Sequence, residues 1–169
     1  MFKKSILTLV FLVCAIVSSA QIQRNILDFT LGTTTKTQVN NYLKNNHIEF
    51  SQDKTGMVEA RDIKFAGHVW PVIQFSFYKN KLYIVKFLDN DGFTPAETLT
   101  LVCDNLKTGL FNKYSSCYKG KEDSMWMFGD GRTEVYLSYG FFLGARNLGL
   151  IYFDSVLYDK QLKEGLDEL

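Results

Sequence analysis

Apolar and polar positions recur along this chain with two different periods, and the switches between them mark out its elements. Val39, Tyr42 and Leu43 follow Thr34 and Thr35 at helical spacing, with Gln38 three residues beyond Thr35. In that arrangement the two side chains satisfy each other's orphan backbone donors, so the spacing predicts a capped helix ending near Asn45-Asn46. A second helix is expected from residue 95 to about 113. Thr94 serves as its cap, Pro95 as its first residue and Glu97 as the partner in the box, while Leu99, Val102, Cys103, Leu106 and Leu110 trace one face. Gly109 weakens its last turn.

Elsewhere the period is two. Val72 to Tyr78 and Leu82 to Leu88 alternate around Lys79-Asn80, which reads as a hairpin, and a less regular strand from Met57 to Phe65 precedes them. Met125 to Phe128 and Thr133 to Tyr139 flank Asp130-Gly131, a second turn signal, and Leu148 to Asp154 forms a further strand. Leu162, Leu166 and Leu169 suggest a short C-terminal helix. The predicted fold is α+β: an antiparallel sheet with helices packed on one face. Its order reads as two tandem helix-plus-three-strand units, opened by Phe29-Thr30 and by Phe93-Thr94.

Alternation also sorts side chains between the two faces. Ile73, Phe75 and Phe77 with Tyr83, Val85 and Phe87 form the expected core side of the first hairpin, and Val135, Leu137 and Tyr139 that of the second. Tyr78, Lys86 and Tyr136 then point away, and the last strand is expected to add Tyr152 and Asp154 to that helix-free face. Tyrosines mixed with polar groups are enriched where proteins bind, although tyrosine also serves an ordinary solvated sheet face. Phe141 and Phe142, in a turn bounded by Gly140 and Gly144, are a second candidate anchor.

The first 20 residues change the setting. Lys3 and Lys4, the apolar run Ile6 to Val17 and the small residues Ser18-Ser19-Ala20 have the build of a secretory signal peptide, with cleavage expected before Gln21. The run falls short of the ~20 residues that a helix needs to cross a bilayer. Val13 before Cys14 does not suit lipidation. The expectation is a single domain from 21 to 169, periplasmic or secreted, with no integral membrane segment after cleavage. Two of the 19 basic residues fall in the leader, leaving 17 against 18 acidic. That balance argues against a nucleic-acid partner, which would call for a basic surplus. Cys103 and Cys117 permit a disulfide in an oxidising compartment. Ten helical residues would separate them by about 15 Å, against a limit of ~7 Å, so two thiols are expected, Cys103 buried like a small hydrophobe.

Catalytic chemistry finds little purchase. His47 and His68 stand without a partner motif, and the histidines and cysteines form no zinc spacing. No Gly-rich phosphate loop or nucleophile elbow is present. Setting Gly92 of Asp89-Asn90-Asp91-Gly92 on the glycine of a calcium loop would put Phe87 and Thr98 where carboxylates are required. Glu122-Asp123 lies among lysines, as a solvated loop would. No catalytic residue, metal or cofactor is implied.

The segment from Phe29 to Lys36, with Val39 and Leu43, resembles the helix-opening stretch of small envelope proteins of the SmpA/OmlA (BamE) type. It is also similar to the repeated unit of β-lactamase-inhibitor-like proteins. The resemblance implies helices on one face of an antiparallel sheet and an exported, non-enzymatic binding or inhibitor-like module with an unidentified protein partner. The SmpA/OmlA proteins are lipoproteins, and this chain departs from them there. The alternative is a secreted enzyme of unrecognised type.

Overall fold

The computed structural model describes residues 21–142 and 145–167. The expected signal peptide and Cys14 lie outside the described residues, as do Gly144 and Leu169. After a two-stranded ribbon, β1 (Asn25–Ile26) and β2 (Phe29–Thr30), helix α1 (Lys36–Asn45) leads into β3 (Phe50–Gln52), β4 (Val58–Phe65), β5 (His68–Tyr78) and β6 (Lys81–Asp89). Helix α2 (Ala96–Tyr114) then leads through a 3-10 turn into β7 (Tyr118–Glu122), β8 (Met125–Gly129), β9 (Thr133–Phe142) and β10 (Ala145–Asp154), and α3 (Ser155–Asp167) follows. All eight strands β3 to β10 form one antiparallel sheet in the order β3-β4-β5-β6-β10-β9-β8-β7.

The fold is therefore the expected α+β arrangement, and each unit is a helix followed by a four-stranded meander. The extra strand is the short β3 in one unit and β7 in the other. The two meanders join through β6 and β10, so the unit edges become the middle of the sheet. The Phe-Thr pairs do not mark equivalent places: Phe29-Thr30 is a strand of the ribbon, whereas Phe93-Thr94 directly precedes α2. The outer edges resist further pairing, because β3 has only three residues and β7 carries Lys119, Lys121 and a bulge at Gly120.

Local chemistry explains most boundaries. Thr35 and Gln38 form the full capping box at α1, whose Val39 and Leu43 are buried. Lys79 and Asn80 both take positive φ, 47° and 64°, as the tight β5–β6 turn requires. Helix α2 departs from expectation at its start. Its N-cap is Pro95, which makes no side-chain cap bond, because the Thr94 hydroxyl instead donates to the buried Asp89 carboxylate at 2.8 Å.

Register fixes which side chains share a face. Phe75, Val85, Tyr152, Val135 and Phe128 are cross-strand neighbours in one row beneath α2, with Ile73, Phe87, Leu150 and Leu137 in the next. Residues 22–31 seal this core as a strap that buries Ile22, Ile26, Phe29 and Leu31. Asp130 accepts the Ile22 N–H at 2.8 Å, and Arg24 pairs with Asp154 while donating to the Leu31 carbonyl. Gly32 has φ 83°, and a Cβ there would strike the Asp154 carboxylate and the Arg24 guanidinium.

The long helices α1 and α2 cover this core face. Helix α3 lies across the opposite face, over a small cluster of Tyr83, Ile84 and Phe153 joined by Leu157. Tyr83 was expected in the core. A register shift between Ser76 and Phe77 puts Leu82 there instead and turns Tyr83 under α3, where its hydroxyl donates to Gln161 at 2.8 Å.

Candidate functional sites on the two faces of the sheet

The outer face, expected to be helix-free, is shared between α3 and an open area. Two rows of side chains cross the open area. One runs Glu59, Gln74, Lys86, Ile151, Tyr136 and Met127, and every member is half-buried. The next runs Arg61, Val72, Leu88, Gly149, Ser138 and Met125. At about 4.8 Å per strand step, six strands span about 24 Å. Gly149 keeps the middle low, since a Cβ there would come within 2.7 Å of the Ser138 hydroxyl.

Lys86 and Tyr136 lie on this face as expected. They are two strands apart, separated by Ile151, and all three line a shallow depression of about 370 Å³ that reaches Tyr158 of α3. Tyr136 donates to Glu134 at 2.8 Å, and Glu134 also pairs with Lys119 at 2.7 Å. Burial and this bond to a carboxylate push the Tyr136 phenol up to about 12. Tyr78 is on the same face but lies at the end of α3, where its hydroxyl and Lys79 both donate to Glu164.

Tyr152 does not belong to this set. It sits on the core face, 8% exposed, between Val85 and Val135, with its ring near Phe65 and Phe87. Asp154 shares its parity and is likewise buried, held by Arg24 and accepting the Leu157 N–H at 3.0 Å to start α3. Both apolar and polar residues of β10 alternate with other apolar residues, so period alone could not orient this strand. Gly140, Phe141 and Phe142 do not form the expected turn, because β9 continues through them to pair with Asn147, Arg146 and Ala145; Phe141 projects into solvent, 74% exposed, while the Phe142 side chain lies outside the described residues. Phe93, which the sequence marked only as the opening of the second unit, is 87% exposed in the loop after β6 and rims the same end of the sheet.

On the core side, a cleft of about 360 Å³ opens between the strap, the β4–β5 turn and the last turns of α2. Ile26, Phe65, Leu106, Leu110 and Leu150 wall it, and Gly109 contributes bare backbone. The only sequence sign of it was that glycine, read as a weak spot in the helix.

His68, Asp89 and Thr94 form a compact cluster in which His68 Nε2 lies 2.8 Å from Asp89 Oδ2 and Thr94 Oγ1 donates to the same oxygen. Here the hydroxyl bonds the carboxylate and not the imidazole. A nucleophile activated by a base needs the opposite arrangement. The cluster clasps the β6–α2 loop to β5. Cys103 and Cys117 are buried and no disulfide joins them; burial first, then Asp104, pushes the Cys103 thiol up to about 11. Among the described residues, no group of three or more His, Cys, Asp or Glu side chains is placed to hold a metal, and no helix is long and apolar enough to cross a membrane. No protein-family model, curated protein or solved structure matches the chain.

Proposed function

We propose that this protein is an exported, non-enzymatic binding module of the cell envelope or exterior, which engages a protein partner through the open rows of its outer sheet face. The observation that carries this reading is the half-buried row from Glu59 to Met127, which runs from the edge of α3 across the outer face. A surface about six strands wide and composed of half-buried apolar, tyrosine and charged side chains suits a macromolecular partner better than a small molecule. Export rests on the leader-like first 20 residues. The resemblance to SmpA/OmlA and β-lactamase-inhibitor-like proteins agrees with a binding or inhibitory role for two helix-plus-meander units.

A photo-crosslinking residue placed at Lys86 in cells of origin should capture one protein species that the same residue at Thr108, an exposed position of α2, does not. With that partner in hand, Tyr136→Ala should weaken binding by about 1 to 2 kcal/mol. Equal capture from both positions, or unchanged affinity in a Lys86→Glu/Tyr136→Ala protein that still folds, would move the site away from this face.

A further inference from the structure

The core-side cleft has features that the packing of the fold does not require. Tyr152 forms part of its lining and is more than nine-tenths buried, yet its hydroxyl has no hydrogen-bond partner among the described residues. The oxygen is not sealed in the core: among the described residues Asn40 Oδ1 is the fully buried side-chain polar atom left without a partner, and the Tyr152 hydroxyl instead keeps access to the space of the cleft it lines. Burial holds this phenol above its ordinary range, so it remains a hydroxyl donor.

Three polar residues of the lining, Gln23, Lys113 and Tyr114, gather at one end of the cleft. Gln23 joins the other two, its N–H donating to Tyr114 Oη at 3.2 Å and its side-chain carbonyl accepting from Lys113 Nζ at 2.7 Å. Tyr114 is also the phenol close enough to Tyr152 to influence it electrostatically. Lys113 is the single charged residue in the lining, and no carboxylate pairs with it among the described residues. At the other end Leu106, Gly109, Phe65 and Ala66 line an apolar channel, with Asn105 at its limit. From Lys113 to Asn105 the rise along α2 is about 12 Å.

We propose that this cleft binds a medium-chain carboxylate amphiphile, its carboxylate received by the Tyr152 hydroxyl and the Lys113 ammonium and its chain lying along Leu106 and Gly109 toward Phe65. The site is separate from the outer face and stands whether or not that face binds a protein. The volume falls at the small end of the range for ligand pockets, which fits a slender chain in place of a large cofactor. Gly109 leaves room for the chain, since a Cβ there meets nothing within 4 Å.

Calorimetric titration with decanoate, kept below its micellar range, tests the assignment on the chain from Gln21 onward. Saturable binding of one decanoate per chain is expected, stronger than that of 1-decanol, with decylammonium weakest. Tyr152→Phe keeps the packed ring and should weaken decanoate about ten- to a hundredfold, the loss of one hydrogen bond to a charged group. Lys113→Met should erase the preference for decanoate over decylammonium. Gly109→Leu should abolish binding without lowering the melting temperature. Absence of saturable binding by the unaltered protein, decylammonium binding as tightly as decanoate, or wild-type affinity in Gly109→Leu would each overturn the proposal.

Discussion

The two faces of the sheet use similar residues to opposite ends. On the core face, side chains from at least five neighbouring strands meet two helices and the strap, and Phe75, Val85, Phe87, Phe128, Val135 and Leu137 reach complete burial. On the outer face, burial stops at a three-residue cluster beneath α3, and the remaining rows stay half-covered. Covering helices, not composition, make the difference. Ile151 and Leu150 are adjacent aliphatic residues of one strand, yet one helps to line an open depression and the other lies in the core.

The comparison can be broken most decisively at Phe75. Truncation of that ring to Ala should cost about 3 to 5 kcal/mol, since a filled site is replaced by a cavity, whereas Gln74→Ala on the other side of the same strand should cost under about 0.5 kcal/mol. Denaturant melts showing equal losses at the two positions would erase the distinction between the faces. At Leu157, which ties α3 to the outer cluster, replacement by Ala should remove about 1 kcal/mol and speed hydrogen exchange in α3 while leaving α2 protected. If α2 exchanged faster to the same extent, the two faces would form one cooperative unit.

The smallest effect concerns a pair of tyrosines, one on each face. Both phenols are raised first by burial, but Tyr136 also donates to Glu134, whereas Tyr152 has only the nearby Tyr114 phenol as a second cause. A raised phenol favours the neutral folded form. Its stabilising share is thus complete below the unfolded value near 10 and is lost as pH climbs through the folded value of about 12. Alkaline absorbance titration should therefore show a step near pH 12 that disappears in Tyr136→Phe. Persistence of that step in the variant would assign it to another phenol.

Much of the architecture was legible because local rules act within one element. The capping box at Thr35, the positive-φ pair Lys79-Asn80 and the alternation from Thr133 to Tyr139 each depend on residues a few positions apart, and each element formed as read. The α2 cap failed for a tertiary reason: Asp89, buried beside His68, offered the Thr94 hydroxyl a partner that the helix terminus could not outbid. Lys86 and Tyr136 lie on the side of the sheet away from the core, as parity implied, because the buried Val85, Phe87, Val135 and Leu137 flank them along their strands.

What the sequence by itself determined, then, was the three helices and six of the ten strands among the described residues, the antiparallel pairing implied by tight turns, and the facing of any strand with one polar and one apolar side; the ribbon, β3 and β7 were not read from it. Only the tertiary structure decided the rest. From Leu148 to Phe153 both parities are apolar apart from Gly149, so alternation carries no phase, and pairing with β6 and β9 set it. Asp154 was misread as solvent-facing because its neutralising partner, Arg24, stands 130 residues away in the chain and reaches it only through the strap. The cleft was invisible for the same reason. Gln23, Lys113 and Tyr152 belong to three distant segments, and they gather around one space only when the strap crosses the end of α2.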